Sequence, residues 1–289
     1  MGSALVPLLR EGGHEVMTLV RRQPRDATEI GWDPAAGQLD AVRLAGVEAA
    51  VHLAGAGVGE RRWTPSYRRT ILDSRVQGTD LLSRALARQE PRPAVLLSAS
   101  AIGWYGDTGD REVDESAPRG AGFLADVVGR WEAATRPAME AGIRVCLLRT
   151  GLVLSTRGGA LAKQLPLFKA GLGGRLGSGR QYQSWISLPD EVAAIRFLLG
   201  TDDVRGPVNL VGPAPITNAE LTKTLAAALR RPAFWVVPAP ALRLVLDGFA
   251  DEGILAGQRV RSRVLAEAGF SFAHQDLAHA LHAVLTARS

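Results

Sequence analysis

The sequence predicts an α/β protein, a doubly wound parallel sheet with a smaller α+β lobe at its C-terminal end. Three observations point there. The runs AVLLSAS (94–100) and RVCLLR (144–149) are strand-length and almost wholly apolar, as strands covered on both faces are. Helical segments alternate with such strands through the first half. After residue 151 the texture changes to a Gly-rich stretch, isolated short strands and a mostly helical tail.

The elements follow in order. In residues 3–10, Ala4, Leu5, Leu8 and Leu9 share a helical face, Ser3 stands at the N-cap position, and Gly12-Gly13 ends the helix. A strand is expected at 15–20, a short one at 30–32 and another at 49–54. A helix over 65–88 feeds the strand 94–100, and a helix over 122–140 feeds the strand 144–149. A helix entering a strand at residue 15 is the second half of a β-α-β unit, and no strand stands before it in this chain. Further on, GLGGRLGSGRQ (171–181) precedes a strand-like SWIS (184–187) and a helix at 190–199. GPVNLVG (206–212) reads as a strand, ITNAELTKTLAAALRR (216–231) as a helix capped by Thr217 or Asn218, and FWVVPAP (234–240) as a strand ended by prolines. Residues 240–285 read as mostly helical.

The 289 residues carry a net charge of +5, with 46% hydrophobic and 22% charged residues, which suits a globular chain with a sizeable core. Apolar runs fall short of the roughly 18 residues a membrane span requires. Only 3 of the 34 basic residues are lysine, the arginines are scattered, and no nucleic-acid motif accompanies them, so no nucleic-acid partner is expected. A single cysteine, Cys146, within an apolar strand, fits a reducing cytoplasm and inert packing. His274, His279 and His282 lack a companion set of ligands, and no metal is expected.

Four motifs carry more: HLAG (52–55), SASAIGWYG (98–106), LLRTGLVLS (147–155) and GSGRQYQSWISLPDEVAAI (177–195). In this order and spacing the chain resembles the extended short-chain dehydrogenase/reductases of the NAD(P)-dependent epimerase/dehydratase type. ERRWT (60–64), GLGG (171–174), PVNLVGP (207–213), TNAELT (217–222) and GQRV (257–260) resemble the atypical branch that ends in a DUF1731-type domain. The resemblance implies a Rossmann-type domain over 1–155, a substrate lobe over 156–289, and the family-specific segment near 236–285. It also implies a first strand and a TGxxGxxG turn before this chain's Gly2, which stands at the turn's last glycine. On that reading the N-terminus is shortened by roughly a dozen residues.

The resemblance assigns a cofactor site to Gly2, Arg21, Arg22, Leu53, Ala54, Gly55, Arg75, Ser98, Ala99, Thr150, Gly151, Leu152 and Val153. The strand at 15–20 ends in arginines rather than a carboxylate that would take a ribose hydroxyl, so NADP is expected over NAD. Ser100 occupies the family's catalytic serine position. Its Tyr-x-x-x-Lys pair is missing: AGFLADVVGRWEAA (121–134) places Phe123 or Leu124 at the tyrosine and Val127 or Val128 at the lysine. Tyr105 is the candidate proton donor in its stead, beside the loop carboxylates Asp107, Asp114 and Glu115. Arg180, Gln183 and Trp185 are candidate substrate contacts. The expected chemistry is hydride transfer at a carbinol or carbonyl carbon of an unidentified small molecule. The alternative is a non-catalytic NADP-binding sensor or partner-binding protein. The resemblance also implies a homodimer through the long helices.

Overall fold

The computed structural model describes residues 1–286. Helix α1 (Gly2–Glu11) leads to the short strands β1 (Thr18–Val20), β2 (Glu29–Asp33) and β3 (Gln38–Leu39). Then come β4 (Ala49–His52), α2 (Pro65–Ala87), β5 (Val95–Ala101), β6 (Glu112–Val113), α3 (Phe123–Ala133), α4 (Arg136–Glu140) and β7 (Arg144–Thr150). The second half holds β8 (Leu152–Leu154), α5 (Gly159–Lys169), β9 (Gly174–Leu176), β10 (Tyr182–Gln183), β11 (Trp185–Ser187) and α6 (Leu188–Leu199). It continues through β12 (Gly206–Leu210), β13 (Ile216–Thr217), α7 (Asn218–Leu229), β14 (Trp235–Val237) and α8 (Ala239–Leu246). A π-helical turn (Ala250–Leu255), β15 (Arg259–Val260), α9 (Arg263–Glu267) and α10 (Leu277–Thr286) close the chain.

The main sheet is parallel, in the order β12-β7-β5-β4. Its register sets Ser100 opposite Arg149 and Ala101 opposite Thr150 at the carboxyl ends of the strands, where open α/β sheets present their ligand sites. Helices α1 and α6 cover one face through Leu5, Leu9, Ile195 and Leu198, packed on Leu97 and Leu148. Helices α2 and α4 cover the other through Leu82, Leu86 and Ala138, packed on Leu96 and Val145. Strand β5 is buried over nearly its whole length, whereas β4 is mostly half-buried. Beyond β4 the sheet is interrupted. Strands β1, β2 and β3 form a separate sheet, and among the described residues no ladder joins β1 to β4.

Several elements differ from the sequence reading for identifiable reasons. Helix α1 starts at Gly2 with Met1 at the N-cap, which places Ser3 in the first turn, where it caps nothing. The strand expected at 15–20 pairs only over its last three residues. The helix expected over 122–140 breaks between Ala133 and Arg136. Pro137 suits the start of a helix and not its middle, and the Thr135 hydroxyl donates to the Glu132 carbonyl at 2.7 Å. The tail is interrupted by β15, which pairs with β6 and returns the C-terminal segment to the first half of the chain. Helix α7 is capped by Thr217, in a reciprocal pair with Glu220.

Candidate active site

The residues just past β1 and β4 build one end of the site. Arg22 donates two hydrogen bonds to the Glu29 carboxylate, and this pairing holds the Glu29 pKa down to about 2. Arg21, exposed beside it, has no carboxylate partner among the described residues. Both border a groove of about 550 Å³ that Gly31, Trp32 and Gln38 also line. At the end of β4, Leu53 is half-buried, and Ala54 and Gly55 are open to solvent. Beneath them Arg75 of α2 donates to the carbonyls of Ala56 (2.8 Å) and Ile71 (3.1 Å) and lies over the Trp131 ring. A Cβ on Gly55 would stand 3.3 Å from that side chain. Arg75 has no carboxylate partner among the described residues, and burial lowers its pKa to about 10. Nothing would crowd a Cβ at Gly2. An unpaired arginine on an open groove and a second cation under an open turn fit a ligand bearing phosphates.

The other end lies at β5, β7 and β8. Thr150, Gly151, Leu152 and Val153 are half-exposed. Gly151 is required there, since a Cβ would meet the Ser184 carbonyl oxygen at 2.3 Å. Ser98 and Ala99 do not line the open surface; both are buried inside β5.

Ser100 and Tyr105 belong to one buried network. The Ser100 hydroxyl donates to the Glu132 carboxylate at 2.6 Å. Arg149 grips the same carboxylate through Nε (2.8 Å) and Nη2 (2.9 Å) and donates from Nη1 to the Tyr105 hydroxyl oxygen (3.2 Å). The Tyr105 hydroxyl donates to Asn209 Oδ1 at 2.7 Å, and the backbone N–H of Asn209 donates to Glu115. The guanidinium of Arg149 also sits 4.0 Å from the Trp104 ring centroid. Tyr105 is 2% exposed, and burial pushes its pKa up. Its hydroxyl is thus occupied as donor and acceptor and turned inward, which corrects its expected place on the open cleft. Asp107 and Asp114 close their own loop turns.

At the positions of the family's tyrosine and lysine, helix α3 carries no titratable group. Val127 and Val128 are buried, and Phe123 and Leu124 are half-buried around Trp63 and Ile71. The first turn of this helix is capped from far along the chain: the Glu252 carboxylate accepts from the amides of Phe123 (3.0 Å) and Leu124 (2.8 Å). Among the substrate candidates, Arg180 is exposed and Gln183 half-buried, with its Oε1 unpartnered. Trp185 is instead a core residue, 1% exposed, whose indole N–H donates to the Ala214 carbonyl.

Sequence reasoning overlooked Glu132, Arg149, Asn209, Glu191 and Glu252. Two signals were available. Arg149 closes a buried strand, and a charge there requires a partner. Glu191 shares a helical face with Ile195 and Leu198, all three wholly buried. Among the described residues no group of side chains suited to a metal ion is present, and no helix is long and apolar enough to cross a membrane.

An open parallel sheet, with glycine turns and basic side chains at its carboxyl end, defines a Rossmann-type protein. Residues 1–212 match the NAD dependent epimerase/dehydratase family and residues 237–284 match DUF1731, a domain of unknown function, and the chain belongs to that epimerase/dehydratase family. It is 48% identical over 281 residues to the epimerase family protein Mb2239 of Mycobacterium bovis, covering 97% of this chain and 93% of that one. It is 34% identical over 288 residues to human epimerase family protein SDR39U1, covering 99% and 96%. The crystal structure of human SDR39U1 (isoform 2) with NADPH superposes with a TM-score of 0.91 at 32% identity, covering 99% of this chain and 96% of that one. A nucleoside-diphosphate sugar epimerase from Corynebacterium glutamicum gives 0.78 at 35% identity, covering 98% of this chain and 55% of that one.

Proposed function

We propose that this chain is an NADP-binding oxidoreductase acting at a carbinol or carbonyl carbon of a small molecule. The observation that carries the cofactor choice is the difference between the two arginines after β1. Glu29 already neutralises Arg22, and Arg21 stands unpaired on the groove, free to meet a 2′-phosphate. The SDR39U1 structure solved with NADPH supports the same choice. Gly2, Ala54, Gly55 and Arg75 would hold the dinucleotide's phosphates and riboses, and residues 150–153 its nicotinamide end. When bound, the nicotinamide supplies hydride exchange. The chain's own part is to orient a substrate hydroxyl at Ser100 Oγ, which would accept its hydrogen because Ser100's own is given to Glu132.

One observation favours a second reading, a cofactor-binding sensor without catalysis. Helix α3 carries no titratable group at the tyrosine and lysine positions, and the Tyr105 hydroxyl is spent inside the protein. General acid–base groups commonly contribute ~10²–10⁴-fold to rate, so slow turnover is expected on the first reading and none on the second.

The test is fluorescence titration of NADPH and NADH into the wild type and Arg21→Ala. NADPH affinity falls at least tenfold in the variant and NADH affinity stays the same. Equal losses for both dinucleotides would overturn the assignment of Arg21. Turnover of a panel of carbonyl compounds, compared with Ser100→Ala, then separates enzyme from sensor.

A further inference from the structure

Arg68, near the start of α2, is half-buried and caged by aromatic rings. Its guanidinium lies 5.4 Å from the Trp63 ring centroid and 5.2 Å from that of Phe123. These two rings meet edge to face with centroids 5.0 Å apart, and Phe249 of the C-terminal segment packs on Trp63 at 5.6 Å. Trp63 is itself fixed, 2% exposed, with its indole N–H donated to the Val58 carbonyl at 2.8 Å. The backbone at Gly248 closes another side, where a Cβ would stand 2.6 Å from Arg68 Nη2. Rings answer the face of a guanidinium and leave the N–H groups in its plane unanswered. Among the described residues, those of Arg68 reach no hydrogen-bond acceptor, and no carboxylate pairs with it. The acids nearby are engaged elsewhere. Glu252 accepts from the amides of Phe123 and Leu124, Glu60 folds back over Gly57, and Asp247 forms no ion pair among the described residues. The cations nearby add to the same sign: Arg61 lies over the Tyr67 ring, and Lys163 reaches from α5 to the Gly59 carbonyl at 2.8 Å.

The place of this cage gives it a use. Arg75, seven residues on and two turns along the same face of α2, repeats the contact over Trp131 of α3, beneath the turn that the proposed function gives to the cofactor. Arg68 stands about 10 Å from it along the helix, on the side where the C-terminal segment supplies Gly248 and Phe249. We propose that Arg68, held between Trp63 and Phe123, binds a terminal oxyanion of the substrate, a carboxylate or phosphate group remote from the reacting carbon. A planar fork of donors, oriented beforehand by rings that take nothing from its edge, matches two oxygens of such a group. The ERRWT segment (60–64) thereby acquires a role: Trp63 is a wall of the site, and Arg61 and Arg62 add the positive field that draws an anion towards it. The oxyanion site stands on the geometry; that its occupant is the substrate rests on the oxidoreductase reading.

The experiment separates the two. The arginine Nε–H signals of the nitrogen-15-labelled wild type are followed by NMR, with that of Arg68 assigned by its absence from Arg68→Lys. Phenylphosphate, phenylacetate and benzyl alcohol are titrated in turn. The Arg68 signal moves saturably with at least one of the two anions, which also tells phosphate from carboxylate, and stays still with the alcohol. No movement with either anion, or equal movement with the alcohol, would overturn the site; the reading is made on the wild type and does not depend on how a variant folds. Aldehydes bearing a remote carboxylate or phosphate are then compared with their uncharged esters, with NADPH as reductant. Arg68→Gln raises KM for the charged aldehydes at least tenfold and leaves the esters and the NADPH affinity unchanged. An equal loss for charged and uncharged aldehydes, or a tenfold loss of NADPH affinity, would remove Arg68 from substrate recognition. Anion binding at Arg68 without turnover of any carbonyl compound would sink the oxidoreductase reading and the substrate assignment together, and leave the oxyanion site standing.

Discussion

Arg149 holds Glu132 with two parallel hydrogen bonds, both side chains nearly inaccessible to water, and through them joins Ser100 to Tyr105. The arrangement has a chemical consequence. Ser100 Oγ has already given its hydrogen to a carboxylate, so its lone pairs face away from Glu132, and the oxygen is anchored rather than free to rotate.

Removing one side of this pair leaves a buried charge unanswered. Arg149→Met is expected to cost ~3–5 kcal/mol of folding stability, measured by urea unfolding. Glu132→Gln, which retains one acceptor for Arg149, costs less. A loss below about 1 kcal/mol for Arg149→Met would show that water reaches Glu132.

Tyr105→Phe is expected to destabilise by ~1–3 kcal/mol, because it leaves Asn209 Oδ1 and an Arg149 N–H unpaired in the interior. NADPH affinity stays unchanged. A variant of native stability that has lost all turnover would instead return Tyr105 to the role of proton donor.

Glu252→Ala strips the cap from α3. The expected loss is ~1–2 kcal/mol, and amide hydrogen exchange at Phe123 and Leu124 speeds up ahead of the rest of the helix. Protection equal to wild type at those two amides would show that the cap contributes nothing.

The stability of the free protein is expected to depend on Glu191 in one direction. Its folded pKa of about 8 lies above the ordinary carboxyl value of 4.5, so the folded state keeps a proton that the unfolded chain gives up. That contribution is complete below pH 4.5, shrinks as pH rises, and is gone above about pH 8. Thermal unfolding of the wild type therefore shifts downward across this window relative to Glu191→Gln. Parallel curves for the two proteins would contradict the raised pKa.

How much of this was readable in the chain differs between fold and site. Strands β5 and β7 were legible to within a residue or two because both faces are buried and the runs are uniformly apolar. Helix α2 was legible for the same kind of reason, as Thr64 and Pro65 mark its start. The α3–α4 break was missed because the apolar positions run on past Pro137, although that proline, which suits the start of a helix and not its middle, was the available signal. At the site, the proposed cofactor positions came from the family resemblance, and most of them stand at strand ends, which are local features. The Ser100–Glu132–Arg149–Tyr105 network is not local: its members come from β5, α3, β7 and the turn after β5. A hydrogen-bonded Tyr105 and a free one are written with the same letter. Glu252 lies well over a hundred positions from the amides it caps, and no local pattern announces such a contact.

The C-terminal segment changes what it means to divide this chain into parts. Glu252 caps α3, β15 adds to β6, Gln258 donates to the carbonyls of Ile102 and Gly106, and Asp190 binds the backbone of Ala273 and His274. These contacts form a seam sewn through the chain rather than a joint between two blocks. The two family segments, residues 1–212 and 237–284, are separate stretches of sequence, but no mechanical boundary falls between them. A nick between them would leave the pieces interlocked, and transplanting the tail onto another fold would carry away the stitching and leave behind the cloth it fastens.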